Sequence, residues 1–330
     1  MSRTAWTWMA LIVAFFGAVG MSLTVGDGDL NDPVLRETFL KLRWWRLANS
    51  MLAGAALAVG GVLVQGLFRN PLASPSILGT TAGASLGGMM MLLLWNTLLV
   101  GVVPAWVPYE LMLPIGCLLG AWLALFILLL VTGRQSGLVT VLLTGFILSS
   151  FFVAIGGLLM SLAQENWELG RAVVAFTLGG VDSKGATHVA LALPMVLISA
   201  VVAMSWARHL DAMLAGEEEA ASLGVDVHQV RRWVIVWTAS LTGAAVAIGG
   251  NISFVGLVVP HVLRPFVGVN HRRLLPAALV GGAAFVAWAD VLTRVLPAKG
   301  QIPLGVVTGL IGAPIFLFLL ARAAREGRVA

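Results

Sequence analysis

The sequence predicts an all-α polytopic membrane protein, with about ten transmembrane helices around an inverted-repeat core and a single transmembrane domain over 1–330. Three observations carry this. Hydrophobic residues make up 59% of the 330 positions and charged residues 11%, where a soluble domain carries about 25% charge. The apolar blocks are continuous and rich in Leu, Ala and Val, without the period-2 alternation of an outer-membrane barrel. Finally, Gly54-Ala55-Ala56-Leu57-Ala58-Val59-Gly60-Gly61 recurs as Gly243-Ala244-Ala245-Val246-Ala247-Ile248-Gly249-Gly250. Five spans separate the copies, so they run in opposite directions, as in an inverted-topology repeat. Small residues in apolar runs also let helix backbones approach closely, so convergence on a packing motif is the alternative.

The block 5–25 is longer than a usual signal-peptide core and lacks a small-x-small cleavage site, so it reads as a retained first span. Further spans are expected at 48–68, 78–100, 111–132, 138–163, 187–207, 233–250, a short one near 255–268, then 274–296 and 303–321. Starting inside with Arg3, this count leaves both termini in the cytoplasm. The inside loops, around Arg69, Arg134, 208–232 and 271–273, collect the larger share of Lys and Arg. The formal charge of +5 is spread over short loops, an ordinary membrane topology that gives no reason to propose nucleic acid as a partner. Polar sequence between Gln164 and His188 is long enough for a short interfacial helix.

The segment 208–232 is the long polar interruption of the second half. Glu217, Glu218 and Glu219 follow Gly216, where acids favour a helix N-terminus, and Gly224 stands where that helix would stop. Asp226 then caps a second short helix running into Arg231 and Arg232. Such a pair reads either as a docking surface or as a solvated linker.

Proline and glycine interrupt three apolar stretches, at Arg69-Asn70-Pro71 through Pro75, at Val259-Pro260-His261 and at Ile302-Pro303-Leu304-Gly305. Irregular backbone at membrane depth is tolerated where it is buried in protein or lines a wet cavity. Asn70, Pro71, Pro260 and Pro303 are therefore candidate pathway or gate residues.

Candidates for chemistry are few. None of the three lysines follows a glycine, so no phosphate-cradling GxxxxGK loop exists and the chain carries no sign of an ATPase of its own. The five histidines are scattered without ligand spacing, so no metal site is expected. Cys117, the single cysteine, sits in an apolar block and reads as a small buried hydrophobe. Asp290, the one acid within a span, lies four residues before Arg294, on the same helix face. An internal ion pair is the simple account, and a proton relay of a secondary carrier the alternative. Arg43, Arg46 and Arg294 fall on the outer side, against the usual sign rule. They read either as receivers of carboxylates from a soluble partner or as anchors at lipid headgroups.

These stretches together resemble the FecCD family, the membrane permeases of type II ABC importers for iron-siderophores, haem and cobalamin. The resemblance runs from Arg43-x-x-Arg46 through Gly54–Gly66 and Arg69-Asn70-Pro71-Leu72-Ala73-x-Pro75-x-x-Leu78-Gly79. It continues with Leu214-Ala215-Gly216-Glu217-x-x-Ala220-x-x-Leu223-Gly224, Phe254-Val255-Gly256 through Pro260-His261, Asn270-His271-Arg272, Ala289-Asp290, Arg294, Ile302-Pro303-x-Gly305-Val306-Val307-Thr308 and Gly312-Ala313-Pro314. Only the first span and the region from Met89 to Gly133 rest on hydropathy alone. The resemblance implies a bacterial inner-membrane dimer with a second permease copy or paralogue, a cytoplasmic ATP-binding cassette ATPase dimer and a periplasmic or lipid-anchored substrate-binding protein. ATP and Mg then belong to the partner ATPase, with no cofactor on this chain.

It also implies that Leu214, Gly216, Glu217, Ala220, Leu223 and Gly224 grip the ATPases, and that Arg43, Arg46 and Arg294 dock acids of the binding protein. Departures from the family pattern occur at Asn251-Ile252-Ser253, Asn270, Gln301, Phe176-Thr177 and Asp182-Ser183-Lys184. These positions are expected to face the pathway or the binding protein. The cargo implied is an iron chelate, siderophore or haem, with cobalamin or another metal complex as the alternative.

Overall fold

The computed structural model describes residues 3–26, 28, 30–95, 109–132, 137–182, 184–296 and 302–325. Among these the secondary structure is helical, with α1 Arg3–Thr24, α2 Arg36–Leu67, α3 Thr80–Leu94, α4 Met112–Thr132, α5 Leu138–Ala163 and α6 Trp167–Leu178 in the first half. The second half contains α7 Ala186–Met213, α8 Glu217–Ser222, α9 Val227–Gly249, α10 Val255–Val267, α11 His271–Val295 and α12 Leu304–Arg325. Seven of the described helices are long and apolar enough to cross a membrane, and α3, α10 and α12 supply three shorter apolar segments. The short helix expected in 164–188 is found as α6, N-capped by Asn166, whose side chain accepts from the backbone of Glu168 and Leu169. The sequence-based positions of Arg134, Ser183, Lys299 and Gln301 lie outside the described residues.

α2 and α9, the two copies of the small-residue motif, form the centre. Buried residues make up 83% and 78% of their apolar windows, against 17% for α5, so α5 faces outward. Glycine makes this centre possible. At Gly54 and Gly282, a Cβ on either residue would collide with the other's carbonyl, and Gly61 meets the backbone of Gly256 in the same way. Those contacts bring α2 against α11 and α10 at backbone distance.

The packing is reciprocal. α2 packs on α11 and α10, while α9 packs on α4 and α3, the pattern that a pseudo-twofold relation between two inverted halves produces. Each central helix also leads into irregular backbone and then a short helix. After α2, residues 68–74 and a 3-10 turn at Pro75–Leu78 reach α3 through Gly79 at φ 79°. The chain after α9 reaches α10 through Gly250 at φ 65° and Phe254 at φ 64°.

Two expectations need correction here. The second span begins at Arg36, not near 48, so Lys41, Arg43 and Arg46 are helical. Nor is Val259-Pro260-His261 a break, because Pro260 lies inside α10. Proline removes the N–H that would bond the carbonyl four residues back, and Gln65 Nε2 donates to that Gly256 carbonyl at 3.2 Å instead. The break falls at 250–254.

Gly61→Leu is expected to destabilise the fold through overpacking, by about 1–3 kcal/mol or more. Thermal unfolding of the purified protein in detergent checks this. Gly309→Ala, where a Cβ meets nothing within 4 Å, should leave the midpoint unchanged.

Candidate functional site

The larger cavity is a groove of ≈ 570 Å³ whose floor is the irregular backbone described above. Ser76 and Ile77 come from the 3-10 turn, Thr81, Ser85 and Met89 from α3, and Phe146, Ser149, Phe152 and Val153 from α5. Thr177 and Asn251 close one end. None of the lining residues carries an ionisable side chain. Thr81 and Ser85, spaced i, i+4, put two hydroxyls on one face of α3, and Ser149 Oγ donates to the Ser76 carbonyl at 3.2 Å. Thr177 and Asn251, expected from the sequence to face the pathway or the binding protein, both border this groove.

A smaller pocket of ≈ 370 Å³ lies on the far side of the wall made by 176–180 and 250–251. Its lining includes Glu110, Asp182, Lys184, His188 and Pro303. Of the four sequence-derived pathway candidates, only Pro303 borders either cavity. Asn70 instead forms a side-chain turn, its Oδ1 accepting from the Leu72 N–H at 2.8 Å, with Pro71 exposed beside it. Pro260 is buried between α10 and its neighbours.

At the end of the molecule that holds this pocket, the three arginines do not form a solvent-facing patch. The Arg43 residue is 6% exposed. Its Nη1 donates to the carbonyls of Leu23 and Thr24 and its Nη2 to those of Gly26 and Gly28, at 2.9 to 3.2 Å. The Arg294 side chain is 7% exposed. It donates to the carbonyls of Ser22 and Val25 at 2.9 and 2.7 Å and to Ser22 Oγ at 2.8 Å. Together they satisfy the carbonyls that the last turn of α1 leaves without helical partners. Arg46 Nε donates to both oxygens of Asp290 at 2.9 and 3.1 Å, and its Nη1 pairs with Asp182 at 2.6 Å.

The internal pair between Asp290 and Arg294 is present at 3.1 Å. Both carboxylate oxygens of Asp290 are thus engaged by guanidinium groups, the arrangement of a structural ion pair. The physical reason for the inward turn is the early start of α2, which carries Arg43 and Arg46 alongside Asp290 on α11.

The opposite end carries α8. Gly216 enters it at φ 140° and Gly224 ends it at φ 82°, as the sequence predicts. Asp226 is the expected cap, accepting from Gln229 N–H at 3.0 Å. The helix it caps is not short, however: α9 continues into the core as far as Gly249. Glu217 is half-buried and pairs with Arg231 at 2.9 Å, bracing α8 against α9. Ala220 is fully buried, and the outward face consists of Glu218, Glu219, Leu214 at 40% exposure and Leu223 at 71%.

A contact the sequence reading missed ties this corner to the core. Asp211 Oδ1 accepts from the backbone N–H of His271 and meets its ring Nδ1, each at 2.7 Å. That pair joins the end of α7 to the start of α11. The spacing of 60 residues offered no local signal.

The FecCD transport family matches this chain over residues 5–322. The chain belongs to that family. This FecCD permease is 36% identical to the Fe(3+) dicitrate transport system permease protein FecD of Escherichia coli (strain K12), over 86% of this chain and 85% of that protein. It is 35% identical to the hemin transport system permease protein HmuU of Yersinia pestis, over 97% of this chain and 93% of that protein. Among solved structures, an inward-facing metal-chelate type ABC transporter chain matches with a TM-score of 0.84 at 30% identity, covering 95% of this chain and 98% of that one. As an ABC importer permease, the chain is a transport subunit of the membrane, and ATP hydrolysis belongs to a separate subunit.

In the FecCD permease, Asp290→Ala takes the carboxylate from Arg294 and one of two from Arg46. The expected loss of stability is about 3–5 kcal/mol, read as a lower thermal midpoint. Lys41→Ala, at an exposed position, is the control and should shift it little.

Proposed function

We propose that this permease carries an iron chelate, a siderophore complex or haem, from periplasm to cytoplasm, in an assembly with a second permease copy or paralogue, an ATPase dimer and a binding protein. The groove supports the cargo class. A wall of hydroxyl, amide and apolar groups without a charge suits a large chelate whose metal is already coordinated. A bare cation or a small oxyanion leaving water calls for opposite charge or coordinating ligands.

The second copy accounts for the outward side of α5. Phe146 and Val153 line the groove while remaining 67% and 65% exposed, so an equivalent α5 across a twofold axis would close the opposite wall. On this reading the α8 end faces the cytoplasm, where Leu214, Glu218, Glu219 and Leu223 meet the ATPase while Gly216 and Gly224 shape the helix. The Arg46 end faces the binding protein. There the arginines act through the shape they impose on the end of α1, which the docking surface of the partner, its acids included, would meet. ATP binding would displace α8, and rigid-body movement of the two halves would alternate access to the groove.

Two outcomes are expected. The complex reconstituted in vesicles should accumulate 55Fe-labelled chelate or haem only with ATP and the binding protein present. Cobalamin accumulation without iron uptake would assign the alternative cargo, and uptake driven by a proton gradient without ATPase would overturn the importer reading. For coupling, Leu223→Ala with Glu218→Arg should reduce ATPase co-purification and uptake by about tenfold. Unchanged values for both would remove α8 from the contact.

A further inference from the structure

The smaller pocket presents two hydrogen-bond donors left unspent among the described residues, and the arrangement around them specifies a ligand. Lys184 is half-buried on the pocket wall. Its backbone N–H donates to the Val181 carbonyl at 3.2 Å, and its own carbonyl accepts from Asn49 Nδ2 at 3.2 Å. The polar group left to it is the ammonium. No ion pair joins that ammonium to either acid on the pocket among the described residues. Asp182 is held by Arg46 at 2.6 Å, and Glu110 is exposed at the lip.

His188, 5% exposed, accepts the Gly185 N–H on Nδ1 at 3.4 Å. The proton of the neutral ring is therefore on Nε2, a second donor. The backbone of the wall is already committed: Gly180 N–H donates to the Gly249 carbonyl and Leu304 N–H to that of Gly179, each at 2.9 Å. Burial pushes the Lys184 ammonium below its ordinary value, the mark of a cation removed from water without full compensation.

We infer that this pocket receives a carboxylate of the cargo, held by the Lys184 ammonium and the His188 Nε2–H, before the chelate enters the groove beyond the wall. This assignment rests on the iron-chelate reading above and narrows it to chelates that carry carboxylates. A lysine acts here as a point charge, tolerant of the several orientations that an arriving chelate presents. Asn49, through its bonds to the Lys184 and Gly185 carbonyls at 3.2 and 3.3 Å, positions the loop.

The test is equilibrium binding of ferric citrate and of haem to the permease–ATPase complex in nanodiscs, without binding protein, for the wild type, Lys184→Gln and Lys184→Arg. Lys184→Gln should weaken binding of the carboxylate-bearing probe by at least about tenfold, the effect of one charge-assisted hydrogen bond. Lys184→Arg should recover most of it, and a neutral ferric trihydroxamate should be unaffected by either change. Equal binding by Lys184→Gln and wild type, or no binding of either carboxylate probe by wild type, overturns the assignment. So does a Lys184→Gln defect confined to association with the binding protein, which would give the pocket to that protein's acids instead. A wild-type complex that accumulates iron chelate while Lys184→Gln does so identically removes this inference alone. A wild type that accumulates no iron chelate removes the cargo reading beneath it.

Discussion

The closeness of α2 to α10 and α11 sets everything else in this protein. Gly54 against Gly282 and Gly61 against Gly256 bring backbones together where any side chain would hold them apart. Apolar side chains gain little by leaving lipid for protein, so association depends on shape and on polar groups that lipid cannot satisfy. The glycines supply the first. The second comes from Gln65 on Gly256, Arg46 on Asp290, and His271 on Asp211, each linking helices distant in sequence.

Around that spine the molecule divides its polar work between its ends and leaves the middle uncharged. The Arg46 end gathers guanidinium groups around two carboxylates and the carbonyls of α1. At the α8 end, the braced Glu217 supports an outward face of Glu218, Glu219 and Leu223. Between them, the groove is built where regular helix gives way, at 75–79 on one side and 251 on another. Irregular backbone inside a membrane protein needs shelter, and here α3, α5 and α6 provide it.

Much of this was legible in the sequence, because hydropathy reports spans directly: the fifth, 138–163, matches α5 to the residue. The repeated small-residue motif likewise marked the two central helices, and Gly216, Gly224 and Asp226 marked the boundaries of α8 and the start of α9. What escaped were features decided by partners far along the chain. Arg43 and Arg46 look like loop residues until α1 carbonyls and Asp290 are placed beside them. Pro260 looks like a break until Gln65, 191 residues away, replaces the missing donor. The interruption at Asn251-Ile252-Ser253 follows Gly249-Gly250 and falls between the expected spans 233–250 and 255–268, so its place was legible, but without a proline it was not among the pathway candidates. The groove hydroxyls were passed over because single serines and threonines are unremarkable in apolar helices; the i, i+4 spacing of Thr81 and Ser85 was the available clue.

The capping of α1 has a consequence for how the chain is made. Its final carbonyls are satisfied by Arg43 and also by Arg294, which is 272 residues beyond Ser22. Synthesis runs from the N-terminus, so the first helix must wait in the bilayer, its end only half secured, until α11 has emerged. The arrival of α11 then locks the first segment and brings Asp290 to Arg46 in a single event. Arrival of α11 and closure of the Arg46 end are therefore the same step, and a product truncated before α11 would have a first helix that never seats.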